Sequence, residues 1–135
     1  MPTFNRTNHF GYLPRLRSLS LEGCKIRRLP ALAFSGLSGL RSLSVRTRND
    51  EWPDVVMEVD PDALTGLSEL RRLNLTSNNL WGLPEAAFCH LGRLRALNLS
   101  RNHLQDPREL GFSRESRRAC RIPLRDGSII SAHLG

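Results

Sequence analysis

Leucine returns along this chain at fixed intervals, and that regularity limits the fold more than any other feature. Leu16, Leu19, Leu21, Cys24, Ile26, Leu29-Pro30, Phe34 and Leu37 form a first unit. Leu70, Leu73, Leu75, Asn78, Leu80, Leu83-Pro84, Phe88 and Leu91 repeat it, and Leu94, Leu97, Leu99, Asn102, Leu104 and Phe112 repeat it again. A longer copy lies between them, with Leu40, Leu43, Val45, Val56, Val59, Leu64 and Leu67. The units start at 16, 40, 70 and 94, so the second carries six extra residues, placed between Arg46 and Asp54. Self-similarity of this kind means one structural unit used several times, each too small to bury its own apolar face alone.

The Leu-x-Leu pairs at 19 and 21, 73 and 75, and 97 and 99 have period two, so both side chains face one side of a short strand. Strands from successive units then stack in parallel about 4.8 Å apart, and their inward leucines merge into one core. The spacing predicts an α/β leucine-rich-repeat solenoid, with a curved parallel sheet on the concave face and an irregular or short-helical convex side. Asn78 and Asn102 fall where the chain leaves the sheet, and a buried amide there can satisfy backbone groups of the turn. Cys24 holds the same place in the first unit as a small buried residue. Beyond it the Leu-Pro steps begin a return path needing no sheet hydrogen bonds, and Phe34, Leu64, Phe88 and Phe112 fill the far side of the core.

Residues 1–15 read as the end of a preceding repeat, since Phe10-x-x-Leu13-x-x-Leu16 copies Phe34-x-x-Leu37-x-x-Leu40. Repeats follow at 16–39, 40–69, 70–93 and, incomplete, 94–113. Residues 114–135 match nothing upstream and carry five arginines, so they are expected to be disordered or loosely attached. Neither end shows a capping pattern, and the chain reads as an uncapped fragment of a longer protein.

Composition narrows the function classes. The chain has 135 residues, room for one domain, and no apolar run of the roughly 18 to 20 residues a membrane helix needs. Its opening residues lack the apolar stretch of a secretory signal, so the chain as written could be cytoplasmic or an incomplete gene product. Cys24, Cys89 and Cys120 show no metal-ligand spacing; Cys120 is the only candidate partner for Cys89, and an unmatched thiol is expected. His9, His90, His103 and His133 are scattered, with no nucleophile partner and no phosphate-binding glycine loop. A binding module without cofactor is the expectation, and no enzyme. The net charge of +7 comes almost wholly from arginine, Lys25 being the one lysine. The arginines are mostly dispersed, and no zinc-finger or RNA-binding motif accompanies them, so no specific nucleic acid is implied.

The 24-residue spacing with Leu-Pro-x-x-x-Phe-x-x-Leu resembles the extracellular class of leucine-rich repeats. Leu43-Ser44-Val45-Arg46-Thr47-Arg48-Asn49-Asp50-Glu51-Trp52-Pro53, then Leu73 to Pro84 and Phe88-Cys89, resembles the ectodomain of insect Toll receptors of the long-ectodomain branch. The resemblance spans roughly residues 13 to 113. It implies the extracellular side of the plasma membrane, in a single-pass receptor that signals through an intracellular TIR domain. It also implies extracellular protein partners: a cystine-knot cytokine of the Spätzle type, or another leucine-rich receptor. A cytosolic leucine-rich scaffold and a polyanion-binding basic fragment are the alternatives.

The strand positions beside the leucines form three outward columns: Arg17, Arg41, Arg71, Arg95; Ser18, Ser42, Arg72, Ala96; and Ser20, Ser44, Asn74, Asn98. The insertion adds Arg46, Arg48 and Trp52, a large rigid residue of the kind that anchors interfaces. The candidate protein-binding set is therefore Arg41, Arg46, Arg48, Trp52, Arg71 and Arg72, weighed against an ordinary solvated rim. Sequons at Asn5, Asn74 and Asn98 are candidate N-glycosylation sites.

Overall fold

Each repeat contributes one short strand to a parallel sheet. The computed structural model describes residues 12–23, 26–47, 56–84, 87–88, 91–103 and 129–131. Strands β1 (Ser18–Glu22), β3 (Ser42–Arg46), β5 (Arg72–Asn74) and β6 (Ala96–Asn98) lie side by side in chain order. The register pairs Leu19 with Leu43, Leu43 with Leu73 and Leu73 with Leu97, so the period-two leucines form a single inward row. Leu43, Leu73 and Leu97 are buried, as are Val45, Leu75 and Leu99. Each buried leucine contributes about 1.5 to 3 kcal/mol of transfer free energy. In β1 the equivalent Leu19 and Leu21 are only partly buried, because that strand is the edge of the sheet.

The return path is built from turns repeated position for position. Leu37 N donates to Phe34 O, Leu67 N to Leu64 O and Leu91 N to Phe88 O, at 3.0, 3.3 and 3.1 Å. These bonds hold Phe34, Leu64 and Phe88 in one buried column across the core from the sheet; Phe112 lies outside the described residues. No helix occurs among the described residues, whose convex path runs mostly through turns. Gly66 turns with φ +99°, and a Cβ there would come within 3.1 Å of Ser35 Cα, which brings the second repeat's turn hard against the first.

Two features depart from the sequence reading. The convex side does carry sheet hydrogen bonds: β2 (Arg28–Leu29) and β4 (Glu58–Val59) form a two-residue parallel ladder. Leu29 and Val59 are buried equivalents, and once both point inward their backbones run parallel within bonding distance. β1 and β3 pair at an offset of 24 residues but β2 and β4 at 30, so the six extra residues lie between Arg46 and Glu58.

The second departure is a correction. A segment of the 114–135 stretch, expected to be disordered or loosely attached, forms β7 (Ile129–Ser131), which pairs in parallel with β6 as Leu97 with Ile130 and Asn98 with Ser131. An exposed strand edge presents unpaired backbone donors and acceptors, and a β-branched Ile-Ile pair suits that edge. The offset of 33 residues hides this strand from a 24-residue frame.

Candidate protein-binding face

The outward columns follow from the backbone register. Arg17 O accepts from both Arg41 N and Ser42 N, Arg41 O from Arg71 N and Arg72 N, and Arg71 O from Arg95 N and Ala96 N. This forked bond, at 2.8 and 3.0 Å each time, aligns Arg17, Arg41, Arg71 and Arg95 just before their strands. Arg17, Arg41 and Arg95 are exposed and Arg71 is half-buried. Arg17 is tied down, its guanidinium donating to Pro14 O at 3.0 Å and Gly39 O at 3.1 Å. Gly39 is required there, since a Cβ would overlap the Pro14 carbonyl and the Arg17 guanidinium.

Of the sequence-derived binding set, Arg41, Arg71 and Arg72 fall together on adjacent rungs of repeats two and three. Arg72 is exposed on β5, in register with Ser42 and Ala96. Arg46 ends β3, half-buried, with its Nε buried and unpartnered. Arg48 and Trp52 lie outside the described residues, as do Asn5 and the three cysteines.

Asn74 and Asn98 face each other across β5 and β6, both half-buried. Asn74 Oδ1 accepts from Thr76 N at 3.0 Å; Asn98 Oδ1 accepts from Ser100 N at 3.0 Å and Ser100 Oγ at 2.7 Å. Thr76 Oγ1 in turn donates to Ser100 O at 2.8 Å. Each asparagine oxygen thus bonds within its own turn. Together with Ser42, Ser44, Arg72 and Ala96 they line a shallow groove of about 280 Å³.

Behind this face the buried asparagines do what their position in the repeat predicts. Asn78 Oδ1 accepts from Thr47 N and Thr47 Oγ1, both at 2.9 Å, while its Nδ2 donates to Val45 O at 2.7 Å. Asn102 Oδ1 accepts from Asn78 N and Leu80 N at 3.0 Å, and its Nδ2 donates to Leu75 O at 2.8 Å. Each amide fastens its own repeat to the one before it, which keeps the outward columns in line.

On the flank where the chain leaves the sheet, sequence reasoning missed an aromatic pair. Trp81, 53% exposed, stacks on His103 with ring centres 4.5 Å apart, and its Nε1 donates to Asn79 Oδ1 at 3.0 Å. The two rings come from neighbouring repeats and do not share a repeat position, so no column reveals them. Among the described residues no group of His, Cys, Asp or Glu is placed to hold a metal, and no helix is long and apolar enough to cross a membrane.

Comparison with known proteins agrees with this geometry. Leucine rich repeat family profiles match residues 15–37 and 56–104. The chain is 43% identical over 105 residues to Toll-like receptor 7 of Drosophila melanogaster, covering 77% of this chain and 7% of that protein. It is 36% identical over 87 residues to Toll-like receptor 3 of Bos taurus, covering 62% of this chain and 10% of that protein.

Proposed function

Since the chain belongs to the leucine-rich-repeat family and its repeats are similar to those of Toll-like receptors, we propose that it forms part of the extracellular recognition region of a Toll-like transmembrane receptor. In this reading it contributes a protein-binding surface and performs no catalysis. The observation that carries the proposal is the sheet's outward face. Arg41, Arg71, Arg72 and Arg95 make no ion pair among the described residues, whereas Arg28 and Arg93 elsewhere are paired with Asp60 and Glu69 at 3.1 and 3.2 Å. Unpaired charge kept in register on a rigid sheet is suited to steering and orienting a protein partner.

The partner class proposed is an extracellular protein: a cystine-knot cytokine of the Spätzle type or another leucine-rich receptor. Arg46, Arg48 and Trp52, at the start of or within the extra residues of the second repeat, extend the surface, because insertions in a solenoid map to loops on one face, often the binding face. A glycan at Asn5 is compatible with this arrangement, while one at Asn74 or Asn98 would cover the sheet itself.

The test uses the complete receptor ectodomain carrying Trp52→Ala, and separately Arg46→Glu with Arg48→Glu. A true anchor loses about 2 kcal/mol or more of partner affinity, with secretion and melting near the parent values. Unchanged binding of every candidate cytokine and receptor by both variants removes this loop from the site. Failure of the tryptophan variant to be secreted makes Trp52 a packing residue instead.

A further inference from the structure

The groove over β3, β5 and β6 has a one-sided chemistry. Asn74 and Asn98 have committed their Oδ1 atoms to Thr76 and Ser100, and neither Nδ2 has a partner among the described residues. Both therefore offer a ligand N–H donors, and the Asn98 oxygen, with two bonds already made, has little left to accept with. Arg72, exposed between Ser42 and Ala96 in the register, adds a guanidinium that can only donate. Ser42 and Ser44 can donate or accept. Among the outward positions of β1, β3, β5 and β6 the one carboxylate is Glu22, at the end of β1 and two strands from β5. Along the strand starts, Arg41, Arg71 and Arg95 continue the same sign.

We infer that this groove binds an acidic peptide segment of a protein partner, whose carboxylates are received by Arg72 and the amide groups of Asn74 and Asn98, with Arg41, Arg71 and Arg95 along its rim. The inference rests on the protein-binding reading and narrows it. A groove whose charged groups are positive and whose amides present N–H donors discriminates against basic partners, which would bring like charges together. Rungs about 4.8 Å apart also suit a segment lying across the strands, which meets one donor group per repeat. The groove is shallow and read by side chains, with no aromatic on which bases could stack, so an acidic polypeptide is favoured over a nucleic acid.

The probe is a fluorescein-labelled deca-glutamate peptide, titrated with the 135-residue chain by anisotropy at about 50 mM salt, with a deca-glutamine peptide and a single-stranded oligonucleotide in parallel. The expected result is binding of the glutamate peptide only. Arg72→Glu, and the pair Asn74→Asp with Asn98→Asp, should each weaken it by about tenfold or more. Arg28→Glu changes the net charge as much as Arg72→Glu but sits on the convex ladder, and should leave affinity within about twofold, as expected for an exposed pair remote from the groove. Arg72→Gln, with milder structural consequences, should show a smaller loss and stands in if the glutamate variant does not fold by circular dichroism.

Equal losses from Arg72→Glu and Arg28→Glu would overturn the inference in favour of diffuse charge. Tighter binding of the oligonucleotide with the same dependence on Arg72 would overturn it in favour of a polyanion surface. Sugar on Asn74 or Asn98 of the secreted ectodomain would overturn it outright by closing the groove. The first two outcomes leave the receptor reading untouched, since it is judged by partner affinity of the complete ectodomain; the third would also move its binding surface off the sheet.

Discussion

Asn102 occupies a place that no apolar residue could fill, because five backbone groups converge on its amide. Its Oδ1 receives Asn78 N and Leu80 N, and its Nδ2 reaches Leu75 O, Leu99 O and Ser100 O. Replacing it with alanine strands several buried groups at about 1 to 3 kcal/mol each, partly offset by water. Asn102→Ala should therefore lower stability by about 3 kcal/mol or more in urea titration, and Asn78→Ala by a comparable amount. These asparagines were legible in the sequence because the repeat puts them at one position. The backbone beside them was not. Ser77 and Arg101, each just before its asparagine, both lie in the left-handed region at φ 59° and 57°. Serine and arginine give no sign of that conformation, which favours glycine. Arg101→Gly should stabilise the chain, by up to about 1 kcal/mol once the entropy gained by the unfolded state is subtracted. A loss of stability would show that the arginine side chain has a role of its own.

At the scale of elements, the strand row and the aromatic column were both readable, since periods of two and of 24 leave direct marks in the sequence. Phe34, Leu64 and Phe88 are at most 1% exposed, one per repeat. Phe88→Ala should cost about 3 to 5 kcal/mol, and Leu64→Phe about 1 to 3 kcal/mol through overpacking of a filled slot, both measured by denaturant midpoint. The convex ladder of β2 with β4 could not be read, because two residues carry no periodicity. Neither could the Trp81–His103 stack, which joins unlike positions of adjacent repeats. The contact between Gly66 and Ser35 makes a separate prediction. Gly66→Ala should destabilise by more than about 1 kcal/mol, because a side chain is strained at positive φ and presses on the neighbouring turn. Gly82, with open space around its Cβ and no positive φ, is the matched control and should tolerate alanine.

For the whole molecule, stability is a sum of repeat terms and the interfaces between them, so the ends matter out of proportion to their length. At one end β1 leaves Leu16, Leu19 and Leu21 only partly buried. At the other, β7 pairs with the edge of β6, a device invisible in a stretch whose sequence had left the leucine frame. Removing residues 104–135 should lower the melting temperature and promote self-association, seen by sedimentation, as the edge of β6 becomes free to pair. The candidate binding face was partly legible: Arg41, Arg71 and Arg72 come together as the columns require, because parallel register follows directly from the repeat. What each side chain offers a ligand was not, since the commitment of the Asn74 and Asn98 oxygens to their own turns emerges only in three dimensions.

The claim that this segment supplies a partner-binding surface of a Toll-like ectodomain meets its most direct test in a deletion. Removing residues 49–54 from the complete ectodomain returns the second repeat to the 24-residue frame of its neighbours. Shortening a solenoid loop changes closure entropy by less than about 1 kcal/mol, so secretion and melting should stay near the parent values. Affinity for the extracellular partner, measured by surface binding on the secreted ectodomain, should fall by about 2 kcal/mol or more. Normal secretion with undiminished affinity would contradict the account.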